Sequence, residues 1–279
     1  YDTTNWAFIK DSDIYSKDEL FPANIVSITE DINLRGVEAI GLNISPIQYN
    51  PVKKELIVYT EIELSIEYEG GDSKFGDDRL RSMHWDPILQ HNILNYNSLP
   101  EINYSERFQQ WIADDAEGAE YLIIIPDDES FREDAQRLAD YRSKQGIITK
   151  VYSLNEMNAH SPEEIRDWFV DAYNNWEIAP VAVCLLGDYN IYVKQGIPAF
   201  IFDFNEYDVK YISDRPYSDI DDDFIPEIAF SRLSADNAEE ARIMVDKQIN
   251  YEFLNPVMDE EFYDRPLLTS AYQQSKWFQ

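Results

Sequence analysis

Three short apolar runs lie close together in the middle of the chain: Tyr121-Leu-Ile-Ile-Ile125, Ile148-Thr-Lys-Val-Tyr152 and Val181-Ala-Val-Cys-Leu-Leu186. Between them, residues 131–144 and 161–176 carry apolar side chains at helical spacing. Near-continuous apolar strands that alternate with amphipathic helices are typical of a parallel sheet covered by helices on both faces. This part of the sequence therefore predicts an α/β fold.

Local signals support these helices. Ser161-Pro-Glu-Glu164 combines a capping serine, a proline in the first turn and a glutamate at the capping-box position. Gly146 lies just past the preceding helix, where a left-handed residue is expected. The third strand runs into Gly187-Asp188, and open parallel sheets bind ligands at the carboxyl ends of their strands. We predict that Asp188 supports a cleft or binds a metal there, with a loop-capping role as the alternative.

The α/β pattern continues toward the end of the chain. Phe224-Ile-Pro-Glu-Ile-Ala-Phe230 predicts a fourth strand, and Asp236-Asn-Ala-Glu239 predicts a capping box at the start of another helix. Pro266-Leu-Leu-Thr-Ser270 would begin a fifth strand. Because the sequence stops soon afterwards, at Gln279, we expect the sheet of this domain to be incomplete.

The first hundred residues indicate a β structure instead. Apolar residues alternate with glutamates in the run after residue 60, which predicts a strand with one buried face. The alternating sets are Ile62, Leu64, Ile66 and Tyr68, and, earlier, Ile40, Leu42 and Ile44. Asn50-Pro51 carries turn chemistry between these runs and predicts a hairpin. We therefore expect an antiparallel β-sandwich or partial barrel, in a domain at residues 1–105 that a linker at 106–120 joins to the α/β domain at 121–279.

Composition and charge exclude several classes of protein. Acidic residues number 54 and basic residues 23, so the net charge is −31, and 44% of the residues are apolar. Such a surface repels phosphate backbones and anionic lipids, and we expect neither a nucleic-acid nor a membrane partner. No apolar run approaches the ~20 residues that span a bilayer. The sequence begins at Tyr1, with neither a methionine nor a basic and then apolar leader. We therefore expect either that a signal peptide has been removed or that the chain starts inside a longer protein.

The sequence contains no convincing catalytic residue. Cys184 is its one cysteine and lies in the middle of an apolar strand, where we expect a small core side chain rather than a nucleophile. His160 directly precedes a helix cap, and His84 and His91 have no neighbouring ligand pattern, so structural roles are expected for all three. We therefore name no catalytic residue.

One acidic loop has the residue types of a metal site. Asp219-Ile-Asp-Asp-Asp223 places four carboxylates close to Glu227, and hard cations such as calcium take several oxygen ligands from such loops. The spacing does not match an EF-hand. We predict a metal site formed by Asp219, Asp221, Asp222, Asp223 and Glu227. The alternative is a solvated acidic turn.

Taken in order, several motifs resemble the gingipain-type cysteine peptidase family. In the second domain they are Tyr121-Leu-Ile-Ile-Ile-Pro126, Leu138-Ala-Asp-Tyr-Arg-Ser-Lys-Gln-Gly146, Ser161-Pro-Glu-Glu-Ile-Arg-Asp-Trp-Phe169, Leu185-Leu-Gly-Asp188, Asp219-Ile-Asp-Asp-Asp-Phe-Ile-Pro-Glu-Ile-Ala229 and Arg232-Leu-Ser-Ala-Asp-Asn-Ala238. The first domain is similar to that family's propeptide in Phe21-Pro-Ala23, Leu34-Arg-Gly36 and Pro46-Ile-Gln-Tyr-Asn-Pro51. The resemblance extends over nearly the whole chain.

The resemblance implies a caspase-like fold and a secreted or cell-surface proenzyme acting on polypeptides, whose propeptide contacts and shields the catalytic domain. It implies structural calcium, with Glu227 at the position of one ligand. The family's catalytic histidine, usually in a Gly-His-Gly turn, and its cysteine do not occur here, and we expect both downstream of residue 279. Arg79 and Arg81, in a polar loop of the first domain, are candidates for a basic group that blocks the specificity pocket.

These observations favour a precursor segment of a cysteine endopeptidase, formed by the propeptide and the first part of the catalytic domain. Two alternatives from other classes remain open. The protein could be a non-catalytic surface or secretion-machinery component that kept the fold and lost the dyad. It could also be an acidic, calcium-dependent binding module.

Overall fold

The structure is a computed structural model that describes residues 10–67, 74–189, 196–204, 209–253, 271–273 and 276–278. It divides into two compact units. The first contains Tyr1–Asp31, Ile40–Asp72 and Pro256–Gln279, and the second contains Ile32–Ala39 and Ser73–Asn255.

Helices and strands follow in this order. Up to residue 113 they are Ser12–Tyr15 (α1), Val26–Asn33 (β1), Glu38–Ile44 (β2), Ile47–Asn50 (β3), Glu55–Val58 (β4), Asp86–Asn92 (α2) and Tyr104–Ala113 (α3). Next come Tyr121–Ile125 (β5), Arg132–Lys144 (α4), Thr149–Ser153 (β6), Leu154–Met157 (α5), Pro162–Asn175 (α6) and Ala182–Leu186 (β7). The remainder are Phe200–Phe204 (β8), Val209–Ser213 (β9), Arg215–Ser218 (α7), Ala229–Leu233 (β10), Ala238–Phe253 (α8), Ala271–Gln273 (β11) and Lys276–Phe278 (β12).

The first unit contains the predicted hairpin. Strands β3 and β4 pair antiparallel, with Ile47 opposite Val58 and Asn50 opposite Glu55. The Asn50 side-chain oxygen accepts hydrogen bonds from the backbone N–H groups of Val52 and Lys53, at 3.1 and 2.9 Å. Because this local bonding closes the turn, the prediction from Asn50-Pro51 is confirmed.

The predicted strand after residue 60 is wrong for the residues that are described. Residues 61–67 belong to no strand, and Leu64 and Ile66 are 41% and 46% exposed. An alternating pattern shows which face a strand would bury, but a strand also needs a hydrogen-bonded neighbour, and β2 pairs with β1 instead. Tyr68 lies outside the described residues. The strands described in this region form two-stranded sheets, and the sandwich stays a prediction.

The second unit is built on the predicted parallel sheet. Its strand order is β10-β7-β5-β6, and every pair in it is parallel. In register, Ile123 lies between Val151 of β6 and Cys184 of β7, and Ser231 of β10 follows Cys184. The α/β fold class predicted from the sequence is confirmed.

Alternate side chains of the strands enter two separate hydrophobic cores. Leu122 and Ile124 of β5 pack with Ile165 and Phe169 of α6 on one face. On the other face, Ile123 and Ile125 pack with residues of α4 and α8, among them Ala135, Leu138, Ala241 and Val245. The prediction of helices on both faces is therefore confirmed.

Helix boundaries match the sequence signals closely. The Ser161 capping box is complete, and Gly146 has φ +83 just after α4. At α8 the cap lies one residue later than predicted, because Asn237 accepts from the N–H of Glu240 at 3.1 Å and Glu240 accepts from the N–H of Asp236 at 3.0 Å. Asn237 therefore caps the helix in place of the predicted box at Asp236, and the second bond reaches the residue before the cap.

Three further predictions concern the linker, the fifth strand and the membrane. Helix α3 occupies much of the predicted linker at residues 106–120, while the domain limits themselves stay predictions. The predicted fifth strand at residues 266–270 lies outside the described residues. Among the described helices, none has the length and apolar character needed to cross a bilayer.

We expect replacement of Phe169 to destabilise the second unit. Phe169 is fully buried, with ring centroids of Phe230 and Tyr217 at 5.0 and 5.9 Å. Phe169→Ala should lower the free energy of unfolding by about 3–5 kcal/mol, measured by urea denaturation, because a cavity replaces these contacts. Asp167→Ala, an exposed position on the same helix, is the control and should change it by less than about 0.5 kcal/mol. Equal effects of the two variants would contradict this packing.

We also expect the thiol of Cys184 to be unreactive in the folded chain. Its side chain is 1% exposed, and burial raises the pKa of the thiol. Since the thiolate is the reactive form, a disulfide reagent such as DTNB should modify Cys184 only after denaturation. Rapid modification of the native protein would show that the strand assignment or its burial is wrong.

Candidate functional site

An acidic cluster lies in the loop between α7 and β10. Asp219, Asp221 and Glu227 each offer a carboxylate oxygen, and these atoms lie within 4.8 Å of one another. Five residues were predicted to form this site, and the structure brings three of them together. This cluster is the candidate metal site of the described chain.

Helix α6 holds the loop in place through Arg166. Its guanidinium donates to the carbonyl oxygens of Pro216 at 3.0 Å and Asp219 at 2.9 Å. The N–H of Glu227 donates to the carbonyl of Ser218 at 2.9 Å, which closes the base of the loop. The Arg166 side chain and this backbone bond therefore position the loop that carries the carboxylates.

Two oxygens of the cluster are buried without a hydrogen-bond partner. Glu227 is 1% exposed and Asp219 is 5% exposed. Glu227 Oε2 accepts from the N–H of Ile220 at 2.7 Å and Asp219 Oδ2 accepts from Arg215 at 2.8 Å, but Glu227 Oε1 and Asp219 Oδ1 have no partner. Buried polar atoms are nearly always bonded, so these two oxygens are the atoms of the cluster that could bind a cation.

The Glu227 and Asp221 carboxylates of the cluster also have raised pKa values. The pKa of Glu227 is raised to about 7, chiefly by burial; the Ile220 N–H lowers it, and the charges of Asp221, Asp223 and Asp219 add to the rise. Burial, followed by the charge of Asp223, raises the pKa of Asp221. Arg215 forms an ion pair with Asp219, and a divalent cation would relieve the remaining repulsion between the clustered carboxylates.

The other two predicted ligands have different contacts. Asp222 forms an ion pair with Arg166 at 2.9 Å, and its side chain is 79% exposed. Asp223 Oδ1 accepts from the N–H of Ile225 at 2.7 Å. In this structure Asp222 and Asp223 stabilise the loop itself. Their role as ligands stays a prediction.

The donor set suits a hard cation. All three clustered residues offer carboxylate oxygens, which calcium and magnesium prefer, whereas zinc sites usually include cysteine or histidine. Glu227 lies two residues before β10, at the amino-terminal edge of the parallel sheet. Sheets of this type bind substrates at the opposite, carboxyl-terminal edge, so the position favours a structural cation.

Asp188 lies at that carboxyl-terminal edge. Its N–H donates to the carbonyl of Ala235 at 2.9 Å, and its carbonyl accepts from Ile197. The pKa of Asp236 is raised, first by desolvation and then by the charge of Asp188. Asp188 thus lies close to a second acidic residue, Asp236, and is not part of the cluster formed by Asp219, Asp221 and Glu227. Cleft support and metal binding by Asp188 stay predictions.

The predicted blocking residues both contact groups of this chain. Arg79 donates to the carbonyls of Tyr173, Asn174 and Trp176, at 2.7–3.1 Å, and so caps the end of α6. Arg81 is 4% exposed and pairs with Asp86 at 2.9 Å. These contacts give both side chains a structural role, and inhibition by them stays a prediction.

Sequence reasoning missed the role of Arg35. This residue lies in the turn between β1 and β2 with φ 45, and its side chain is 1% exposed. Its guanidinium donates to the carbonyls of Glu227 at 2.7 Å and Pro180 at 2.9 Å. The rings of Trp85 and Tyr173 lie 5.4 Å from its Cζ atom. Leu34-Arg-Gly36 is a recognisable motif, but its partners are carbonyl oxygens more than 140 residues away, which leave no side-chain signal.

Two glycines allow the turn around Arg35 to approach the segment that carries Arg79. A Cβ atom on Gly36 would lie 2.5 Å from the carbonyl oxygen of Asp77, and one on Gly76 would lie 2.1 Å from the carbonyl oxygen of Gly36. Both glycines have positive φ, +77 and +120. The two segments therefore reach the α/β body as one connected structure.

The histidines form no catalytic pair with Cys184 among the described residues. His160 Nδ1 lies 3.2 Å from Asp127, and its N–H donates to Glu164 at the start of α6. His91 Nδ1 lies 2.6 Å from the Pro87 carbonyl, one turn earlier in α2. These contacts are structural.

Comparison with known proteins assigns the two parts of the chain. The family model described as Peptidase family C25 matches residues 114–276, and that of Propeptide_C25 matches residues 2–99. Gingipain R2 of Porphyromonas gingivalis is 25% identical over 243 residues, which cover 85% of this chain and 30% of that protein. Lys-gingipain of the same organism is 24% identical over 252 residues, covering 88% of this chain and 13% of that protein.

Solved structures give weaker likenesses. One titled "Structure of Protease" is 23% identical with a TM-score of 0.42, covering 51% of this chain and 30% of that one. A complex of the pro- and mature domains of Porphyromonas gingivalis RgpB is 23% identical with a TM-score of 0.40, covering 48% and 29%. At these TM-scores the likenesses add nothing to the family assignment. The chain spans at most 30% of the length of the relatives named above. It contains a propeptide region followed by part of a peptidase domain, and it belongs to peptidase family C25.

Proposed function

We propose that this chain is part of the precursor of a cysteine endopeptidase that cleaves polypeptides. The observation that carries the proposal is the pair of family matches, propeptide first and peptidase second, over residues 2–99 and 114–276. The propeptide region contributes Tyr1–Asp31 and Ile40–Asp72 of the first unit and the Arg35 and Arg79 contacts. The peptidase region contributes the sheet and its two helical layers.

Peptide hydrolysis by this class needs a thiolate nucleophile, an imidazole that transfers protons, and donors for the oxyanion. The one cysteine of the chain is buried in a core with a raised pKa, so it does not fit the nucleophile. We infer that the catalytic histidine and cysteine come from the remainder of the precursor. The acidic surface is compatible with the secreted or cell-surface location that we propose, and the single cysteine is evidence neither for nor against it.

The two alternatives are less well supported. A non-catalytic component of the same fold and an acidic binding module would each contain the cluster and the sheet. The order of propeptide and peptidase regions favours a proenzyme, since a propeptide has a function only beside a domain that it restrains.

Active-site labelling of the full-length precursor, after its processing, tests the proposal. A peptidyl epoxide should label one cysteine outside residues 1–279, because the reactive thiolate must be exposed. Cys184→Ala should keep full labelling and activity. A label on Cys184 would contradict the assignment, and the absence of any labelled cysteine would favour the non-catalytic alternative.

We also propose that Asp219, Asp221 and Glu227 bind structural calcium. Two buried, unpartnered carboxylate oxygens support this, together with the all-oxygen donor set. The bound ion would neutralise the repulsion between the carboxylates and fix the loop ahead of β10. The ion would lie at the amino-terminal ends of the strands, so we expect it to take no part in peptide hydrolysis at the carboxyl-terminal edge.

Calcium should therefore raise the melting temperature of the chain. At a calcium concentration one hundred times the Kd, binding to the folded state adds about 2.7 kcal/mol, or a rise of very roughly 5–10 °C for a domain of this size. Thermal denaturation in calcium and in EDTA measures it, and Glu227→Gln should abolish the shift. Asp222→Asn is the matched control and should keep it, because Asp222 pairs with Arg166 outside the cluster. Loss of the shift in the control alone would place the site elsewhere in the loop.

A further inference from the structure

Arg35 joins the propeptide region to the peptidase region through a buried contact. Residue 35 lies in the propeptide match, whereas its acceptors at residues 180 and 227 lie in the peptidase match. Burial lowers the pKa of Arg35 to about 10, so the guanidinium is charged at neutral pH. Its described hydrogen bonds all go to carbonyl oxygens, and its Nε has none. This buried cation therefore depends on the exact position of a few backbone groups.

Glu227 takes part in both the Arg35 contact and the acidic cluster. Its carbonyl oxygen accepts from Arg35 at 2.7 Å, the shortest of the Arg35 bonds, and its carboxylate is one of the three that cluster. Its N–H is bonded to the Ser218 carbonyl and its carboxylate accepts from the N–H of Ile220 at 2.7 Å, so both the backbone and the side chain of this buried residue are held to one loop. A change in the carboxylate is thus transmitted to the acceptor of Arg35.

We propose that Arg35 couples cation binding at Asp219, Asp221 and Glu227 to docking of the propeptide turn Leu34–Val37, so that a bound calcium ion holds the propeptide region on the peptidase region. The proposal rests on the calcium site proposed above. An ion that binds Glu227 Oε1 and Asp219 Oδ1 fixes the loop, and with it the Glu227 carbonyl. The ion offsets part of the attraction between the Glu227 carboxylate and the Arg35 guanidinium, so the coupling depends on the fixed position of the Glu227 carbonyl and not on charge.

Coupling of this kind is reciprocal. If calcium strengthens the docking of the turn, the docked turn must strengthen calcium binding by the same factor. Arg79 provides the matched control. It also anchors the propeptide region, but its acceptors are the last carbonyls of α6, and it shares no group with the acidic cluster.

The first measurement uses calcium alone, titrated calorimetrically into the intact 279-residue chain and its variants. Arg35→Lys retains the charge and loses the fork that reaches two carbonyls, so we expect it to weaken calcium binding about five-fold or more. Arg79→Gln should bind calcium as the unchanged chain does. Equal affinity of the Arg35→Lys and unchanged chains would overturn the coupling.

The second measurement needs no variant at residue 35, in case that variant fails to fold. Hydrogen exchange of the Leu34 and Val37 amides, which bond to each other's carbonyls across the turn, should slow about five-fold or more in calcium. In Glu227→Gln the same amides should not respond, which separates this site from general calcium binding to an acidic surface. Unchanged exchange at Leu34 and Val37 in a chain that does bind calcium at the cluster would refute the coupling alone. A chain whose calcium affinity Glu227→Gln leaves unaltered would refute the calcium site and the coupling with it.

Discussion

The peptidase region depends on the burial of a parallel sheet from both sides. Strand β5 shows why: Leu122 and Ile124 enter one core, Ile123 and Ile125 enter the other, and all four are fully buried. A strand buried in this way has no face left for polar residues, so polar groups that contact this sheet are expected at the two ends of its strands. The acidic cluster lies just before β10 begins and Asp188 lies just after β7 ends.

The two edges have different roles. At the carboxyl-terminal edge, Arg232 of β10 donates to the carbonyl of Gly187 at 3.0 Å and forms an ion pair with Asp214 at 2.7 Å, which ties the segment carrying Asp188 to the sheet. At the amino-terminal edge, Arg35 reaches the carbonyls before β7 and β10. A propeptide anchored at the amino-terminal edge can be retained or released without rearranging the edge at which parallel sheets bind substrates.

The sequence was a good guide wherever structure follows from neighbouring residues. Strand burial, the Ser161 capping box and the turn at Asn50-Pro51 all depend on groups a few residues apart, and each was predicted correctly. Prediction was weaker where a partner is distant. The run after residue 60 has the right alternation but no ladder in the described residues, and the carbonyl partners of Arg35 could not be read from any pattern. The acidic composition of residues 219–223 was enough to predict which loop carries the cluster. It could not predict that Asp221 joins the cluster while Asp222 pairs with Arg166, because that depends on the direction in which each side chain leaves the turn.

Arginine is well suited to the anchor because of what it contacts. A buried lysine would concentrate its charge on one atom, whereas a guanidinium spreads the charge over a plane that can stack on Trp85 and Tyr173 while its edge donates to carbonyl oxygens. Those carbonyls belong to segments that lead into two neighbouring strands, β7 and β10. The contact therefore requires that the sheet be assembled in register before the cation can be desolvated, since a misplaced carbonyl would leave the charge buried and unbonded. We therefore expect a propeptide that docks in this way to bind a correctly formed peptidase sheet in preference to a partly formed one.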